Sequence, residues 1–279
     1  MKWPTIKSLC SFKLFNRIKD KPIEQKVIYK REQRTLSQLK KDEFKNLTEL
    51  EQKSIVKVSN LLQDLQHKAE HVWPKQFHDS IDIFLKNYGW YVRIDMSFAE
   101  LIPFIKQGNK AVDNYFIEHF SNGDSLEHLK TLAIMRFPHR ERAIQQAFNA
   151  HIGGQYELSV PAFLILSEGL FRELSGADIF SSNSKSKKEK NAFIKELQKS
   201  PISFLMSYSI DAGTNGEILG FSFNNNKDMS TFPNVLHRNR IVHGYDTEYG
   251  TKVNSFKALS QFEFVTISVY NGVHGLYEC

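Results

Sequence analysis

Cysteine is scarce in this chain: Cys10 and Cys279 stand at opposite ends of its 279 residues. Two such distant thiols make no disulfide framework, and the usage is that of a protein kept in a reducing cytoplasm. No stretch of about 18 apolar residues occurs, which leaves no candidate for a membrane-spanning helix. Between Met1 and Asp20 the apolar positions are interrupted by Lys7, Lys13, Arg17 and Lys19. A signal peptide needs an unbroken apolar core, so secretion is not expected. GxxxxGK[ST] and GxGxxG loops are absent, and nucleotide hydrolysis and dinucleotide chemistry lose their usual signatures. Metal ligands are thin as well. His67 and His71 lie one helical turn apart, but no HExxH motif or cysteine pair extends them, so they read as a solvated face. No metal and no cofactor is expected.

Present instead is the composition of a soluble globular protein, 41% hydrophobic and 24% charged, with enough residues to bury a substantial core. The net charge of +6 is unevenly placed. Residues 1–50 carry 13 Lys and Arg against 6 Asp and Glu, which leaves 24 against 25 in the remainder. A basic arm ahead of a neutral body suits nucleic acid or another acidic partner, and it equally suits a solvated tail.

The patterning points to an all-α protein. Between Pro22 and Pro74 there is neither proline nor glycine, and Leu36, Leu39, Leu47, Leu50, Val58, Leu61, Leu62 and Leu65 recur at helical spacing. One long helix or two should end near Trp73-Pro74. Further short helical patterns follow to Phe120, broken at Gly89-Trp90-Tyr91 and Ile102-Pro103. Residues 1–135 read as a helical accessory region with a basic leading arm, and residues 136–279 as a second helical domain. In the latter, Ile144, Ala147, Phe148 and His151 share one helix face closed by Gly153-Gly154. Val160 to Ser175 is apolar nearly all round, as befits a central helix, and Gly176 should stop it. Ser181 to Lys190 reads as a mobile loop before a short helix from Asn191 to Lys199. Its Lys185, Lys187, Lys188 and Lys190 can follow a nucleic-acid backbone or simply face water. The Gly- and Asn-rich stretch from Asp211 to Asp228 is a minor β-hairpin or an irregular loop. Pro233 and Asn234 open a helical segment, and an apolar helix from about Ser255 to Tyr270 closes the chain.

That penultimate segment, Leu236-His237-Arg238-Asn239-Arg240-Ile241-Val242-His243-Gly244, holds the candidate chemistry. Arg238 and His243 are separated by roughly 140° around a helix, so they meet only through their side-chain lengths. A guanidinium grips phosphate by a forked, charge-assisted contact, and an imidazole moves protons near neutral pH. RNA can be cut by its own 2′-OH, given a proton acceptor, a proton donor and positive charge on the phosphate oxygens. His243 would move the protons, Arg238 would supply the charge, and Asn239 would orient the imidazole or hold a phosphate oxygen. The plainer reading is a helix end where Arg238 pairs with a carboxylate and His243 caps a carbonyl.

Arg238-Asn239 followed by Ile241-Val242-His243 resembles the RNxxxH signature of HEPN domains, all-α ribonucleases and nucleotide-binding modules. Phe137-Pro138-His139-Arg140, the run Ala143 to His151, Tyr156 to Pro161, and Glu168-Gly169 resemble the early helices of abortive-infection-type HEPN proteins. The resemblance spans roughly Arg136 to the end. It implies a HEPN-like four-helix bundle and a homodimer in which two copies bring their Arg and His to one cleft. It also implies an endoribonuclease used as a toxin or in anti-phage defence, with RNA as substrate and an antitoxin or phage-derived trigger as a further partner. A HEPN-like binding or dimerisation module without catalysis is the alternative, and a scaffold built on the N-terminal helices is another. His237, Arg240 and Tyr245 are secondary candidates for RNA contact, and Tyr249 more plainly packs its loop. Glu168, set among Leu164, Ile165, Leu166, Leu170 and Phe171, needs a partner if it is buried. Either Arg172 one turn on provides it, or Glu168 reaches across to support Arg238.

Overall fold

A computed structural model of the chain describes residues 72–93, 98–179, 183–199, 203–215 and 232–275, together with Lys57, Asn60, Leu61, Asp64 and His67. Among these residues every regular element is helical, as the patterning predicts. None of the helices is long and apolar enough to cross a membrane. The basic arm, both cysteines, His71 and the stretch from Gly216 to Asp228 assigned to a hairpin or loop lie outside the described residues.

The chain divides at Trp73/Pro74, and the second unit runs Pro74–Glu278. The boundary expected at 135/136 therefore falls inside one unit. The reason is a shared core: Phe84, Trp90, Leu101, Val112, Phe116 and Leu129 belong to the same buried cluster as Phe148, Phe163, Leu170 and Phe262. Trp90 stacks on Phe116 with ring centroids 4.7 Å apart and donates its indole N–H to Asp113 Oδ1 at 2.8 Å. Its large apolar body is thus buried without stranding its polar edge.

The helices are α1 Trp73–Tyr88, α2 Phe98–Gln107, α3 Asn109–Ser121, α4 Gly123–Arg136, a 3₁₀ turn Pro138–Arg140, α5 Glu141–Ile152 and α6 Tyr156–Ser175. They continue with α7 Ser184–Leu197, α8 Ser203–Asn215, α9 Arg238–Val242, α10 Lys252–Glu263, a π-helical turn Phe264–Val269 and α11 Tyr270–His274. The element α6 is central, packed by α5, α10, the π turn and α9. Phe163 of α6 meets Phe148 of α5 and Phe262 of α10 at 5.2 and 5.5 Å between ring centroids.

Several boundaries differ from the sequence expectations. Pro74 is the second residue of α1, and residues 68–71, where the preceding helical segment is expected to close, lie outside the described residues. Pro103 lies inside α2 instead of breaking it, at the cost of the backbone bond its missing N–H would have made. The lysine-rich stretch expected as a mobile loop is the first half of α7. Asn183 caps that helix by accepting the Ser186 N–H at 2.8 Å, and Lys190 is buried, its ammonium donating to the carbonyls of Ile179 and Thr214. Part of the Asp211–Asp228 stretch is helical too, since α8 runs to Asn215. The closing segment starts earlier and runs further, as α10, the π turn and α11. Arg136 serves the turn, donating to the Thr266 carbonyl at 2.6 Å and to Asn271 Oδ1 at 2.8 Å. An outside donor of this kind suits a π turn, whose carbonyls are displaced from α-helical pairing.

Candidate functional site

Arg238 opens α9, which is only five residues long. A helix of that length has no stability of its own, so tertiary anchors must set its place. The His237 carbonyl accepts from the amides of Arg240 at 2.9 Å and Ile241 at 3.1 Å, and Ile241 is buried under the helix. At the other end the chain leaves through Gly244, which takes φ of +74°. The Arg240 carbonyl then accepts from Tyr245 N at 2.8 Å and Asp246 N at 3.2 Å. His243 is the residue that ends the helix, with its backbone N–H on the Asn239 carbonyl at 3.1 Å and its side chain exposed to solvent.

The Arg238 guanidinium is clasped from two sides. Its Nη2 donates to Glu168 Oε2, and its Nη1 donates to Asn239 Oδ1 at 3.0 Å. Glu168 therefore reaches across to α9. Arg172, its alternative partner, pairs with Asp178 at 3.0 Å. Asn239 orients the guanidinium through its amide oxygen, and its backbone carbonyl accepts the His243 N–H. The Arg238 and Glu168 side chains are 18% and 26% exposed, so the pair is neither a free surface contact nor sealed in the core. Held this way, an arginine loses little rotamer freedom when it engages an anion, but Glu168 offsets much of its charge.

On the α6 face that carries Glu168, Leu158 is 61% and Ile165 51% exposed, with Pro161 and Ala162 half-buried between. The helix expected to be surrounded by core thus keeps one apolar side open. Beyond it, Arg140 lies over Gly169, where an added Cβ would stand 3.0 Å from the guanidinium nitrogens. Arg140 and His139 both engage Glu173, His139 Nε2 at 3.0 Å. Two residues of α6 thus each hold an arginine, one on either flank of the open face.

The secondary candidates separate. Tyr245 is 58% exposed beside the motif, and His237 and Arg240 are half-buried in it. Tyr249 instead ties its loop to α6, donating its hydroxyl to the Glu157 carbonyl at 3.0 Å. Sequence reasoning read Gly89 only as a helix break and Asn234 only as a helix start, and passed over Lys257; the three meet directly upstream of α9. The available signal was a lysine inside the run Ser255-Phe256-Lys257-Ala258-Leu259, otherwise the pattern of a buried helix. Comparison with protein-family models, with curated proteins and with solved structures returns no match.

Proposed function

We propose that this protein is an endoribonuclease of the HEPN type that cleaves RNA without a metal. We further propose that it acts as a homodimer in a toxin or anti-phage defence role in the cytoplasm. The observation that carries the reading is an arginine pre-oriented by Glu168 and Asn239 at the start of a short helix whose last turn delivers an exposed histidine. In the proposed reaction His243 takes the proton of the attacking 2′-OH, and an imidazole, from this or a second copy, returns one to the departing 5′ oxygen. Arg238 stabilises the charge that builds on the phosphate, leaving a 2′,3′-cyclic phosphate and a free 5′-OH. Glu168 acts on Arg238 and touches no reacting atom, while Asn239 orients Arg238 and holds a phosphate oxygen or the imidazole. Tyr245, His237 and Arg240 are proposed to contact RNA around the cut.

A second copy is part of the proposal. The open apolar side of α6, with Leu158 and Ile165 more than half exposed, supports it. Exposed aliphatic side chains on one helix face are a usual seat for a two-fold partner, and a two-fold axis there would bring both Arg238 side chains toward one cleft. The N-terminal region is proposed to carry the response to an antitoxin or phage-derived trigger. A HEPN-like bundle that binds RNA without cutting it is the competing reading, and one experiment separates them. Pure protein is incubated with total RNA in EDTA beside His243→Ala. Discrete fragments ending in cyclic phosphate from the wild type alone support catalysis. RNA binding by both with cleavage by neither establishes the binding module, and equal cleavage by both removes His243 from the mechanism.

A further inference from the structure

The structure assigns Lys257 as the positioning residue for the Arg238–His243 segment, acting by clamping the backbone of Asn234 four residues upstream of Arg238. Lys257 lies in α10 and is 4% exposed. Burying an ammonium is costly, and burial lowers its pKa, so its contacts should account for its place. Its Nζ donates to the Asn234 carbonyl at 2.8 Å, stands 3.6 Å from Asp113 Oδ1, and lies 5.8 Å from the centre of the Trp90 ring. Asp113 in turn accepts the Trp90 N–H, so the carboxylate that balances the lysine is itself held in place.

The same residue is gripped from the other side. The Asn234 side-chain amide donates to the Asn87 carbonyl at 2.8 Å. The chain there passes so close to Gly89 that a Cβ on Gly89 would stand 2.2 Å from the Asn234 carbonyl oxygen, and Gly89 holds φ of +74°. Only glycine suits both demands. The chain between Asn234 and Arg238 has little freedom, because Val235 and Leu236 pack on the core. A five-residue helix cannot fix its own register, so the clamp at Asn234 sets where Arg238 emerges. A downstream anchor completes it, with Asn254 Nδ2 donating to the Tyr249 carbonyl at 2.9 Å.

The functional half of this inference rests on the ribonuclease reading, and its structural half does not. Lys257→Met keeps an apolar stem against Trp90 and removes the donor, while Gly89→Ala, one residue past α1, pushes on the same carbonyl. Hydrogen exchange is followed at the amides of Ile241, His243, Gly244 and Tyr245, with α5 and α6 as the internal reference, and RNA cleavage is measured alongside. In each variant the α9 amides should lose at least tenfold in protection while α5 and α6 keep theirs. The kcat should fall about tenfold or more with KM little changed, since misplacement of a catalytic group acts on the reacting geometry. Unchanged protection at α9 overturns the clamp. Lost protection with unchanged kcat overturns its positioning role. If the wild type does not cleave RNA, the ribonuclease reading fails and the positioning role for cleavage falls with it, while exchange still decides the clamp. If Lys257→Met does not fold, Gly89→Ala alone decides.

Discussion

Lowering the pH from 7 to 5 should cost this protein about 2 kcal/mol of stability through one buried histidine. His151 is 5% exposed at the end of α5. Its Nδ1 is 2.7 Å from Ser255 Oγ, which in turn lies 2.6 Å from Ser159 Oγ, and its ring meets Phe256 at 4.5 Å between centroids. Burial, with a smaller push from the Lys252 charge, lowers its pKa from 6.5 to about 4. The neutral form is therefore the one the fold accepts. Above pH 6.5 His151 is neutral in both folded and unfolded chains, and its contribution is fully present. As the pH falls the unfolded chain takes up the proton first, and stability declines until the folded pKa near 4 is passed. The whole shift corresponds to about 3 kcal/mol at 1.36 kcal/mol per pKa unit, most of it lost between pH 6.5 and 4. Urea unfolding at pH 7 and pH 5, for wild type and His151→Gln, isolates the effect, because carboxylates titrating in that range contribute to both proteins alike. The difference in stability loss between the two should be about 2 kcal/mol. Equal pH dependence would refute the assignment of a buried neutral imidazole.

Glu168→Gln should separate orientation from attraction. It removes a negative charge beside the proposed RNA site, so KM should fall several-fold, while the looser hold on Arg238 should lower kcat about tenfold. Steady-state cleavage checks both, and a raised KM would contradict the role. Gly213→Ala and Gly169→Ala form a contrasting pair in thermal unfolding. A Cβ on Gly213 would stand 2.6 Å from the Phe264 ring inside the core, and overpacking there should cost about 1–3 kcal/mol. A Cβ on Gly169 meets only the movable tip of Arg140 at 3.0 Å, so that variant should stay within about 0.5 kcal/mol of wild type, helped by alanine's better helix propensity.

The all-α character and the central place of α6 were legible because both rest on periodicity. Ile144, Ala147, Phe148 and His151 do share a buried face, and Gly176 does end α6. Boundaries that depend on tertiary partners were not legible. The division at Trp73/Pro74 follows from Trp90, Phe116 and Leu129 joining the core of residues 136–275, and no composition shift marks that. The start of α7 depends on the Asn183 cap and on acceptors for Lys190 from α8 and the segment after α6, which a run of lysines and serines conceals. At the site, Arg238, Asn239 and His243 stood out as residue types, but their arrangement did not. Glu168 could have served Arg172 equally well by spacing, and only the docking of α9 on α6 decides between the two. The histidines could not be told apart either: His151 and His243 both sit at helix ends, one sealed among aromatics and one in water.

The charge balance around Arg238 bears on how a polyanion would be drawn in. Glu168 accepts from the guanidinium, and on the opposite flank of α6 Glu173 accepts from Arg140, so each arginine comes with a carboxylate already in place. Such pairs fix direction at the expense of field, and a phosphate arriving there meets oriented donors more than net positive charge. Long-range attraction must then come from cations without a matching carboxylate. Residues 74–279 cannot supply a strong net field, because the surplus of seven Lys and Arg over Asp and Glu lies within residues 1–50. On the proposed function, the basic arm governs capture and the α6–α9 junction governs chemistry. Removing residues 1–50 should therefore weaken RNA binding at low salt and flatten the dependence of log Kd on log salt, while the cleavage rate of bound RNA stays the same. A salt slope unaffected by the truncation, measured by fluorescence anisotropy on labelled RNA, would place the capture surface on the helical body instead.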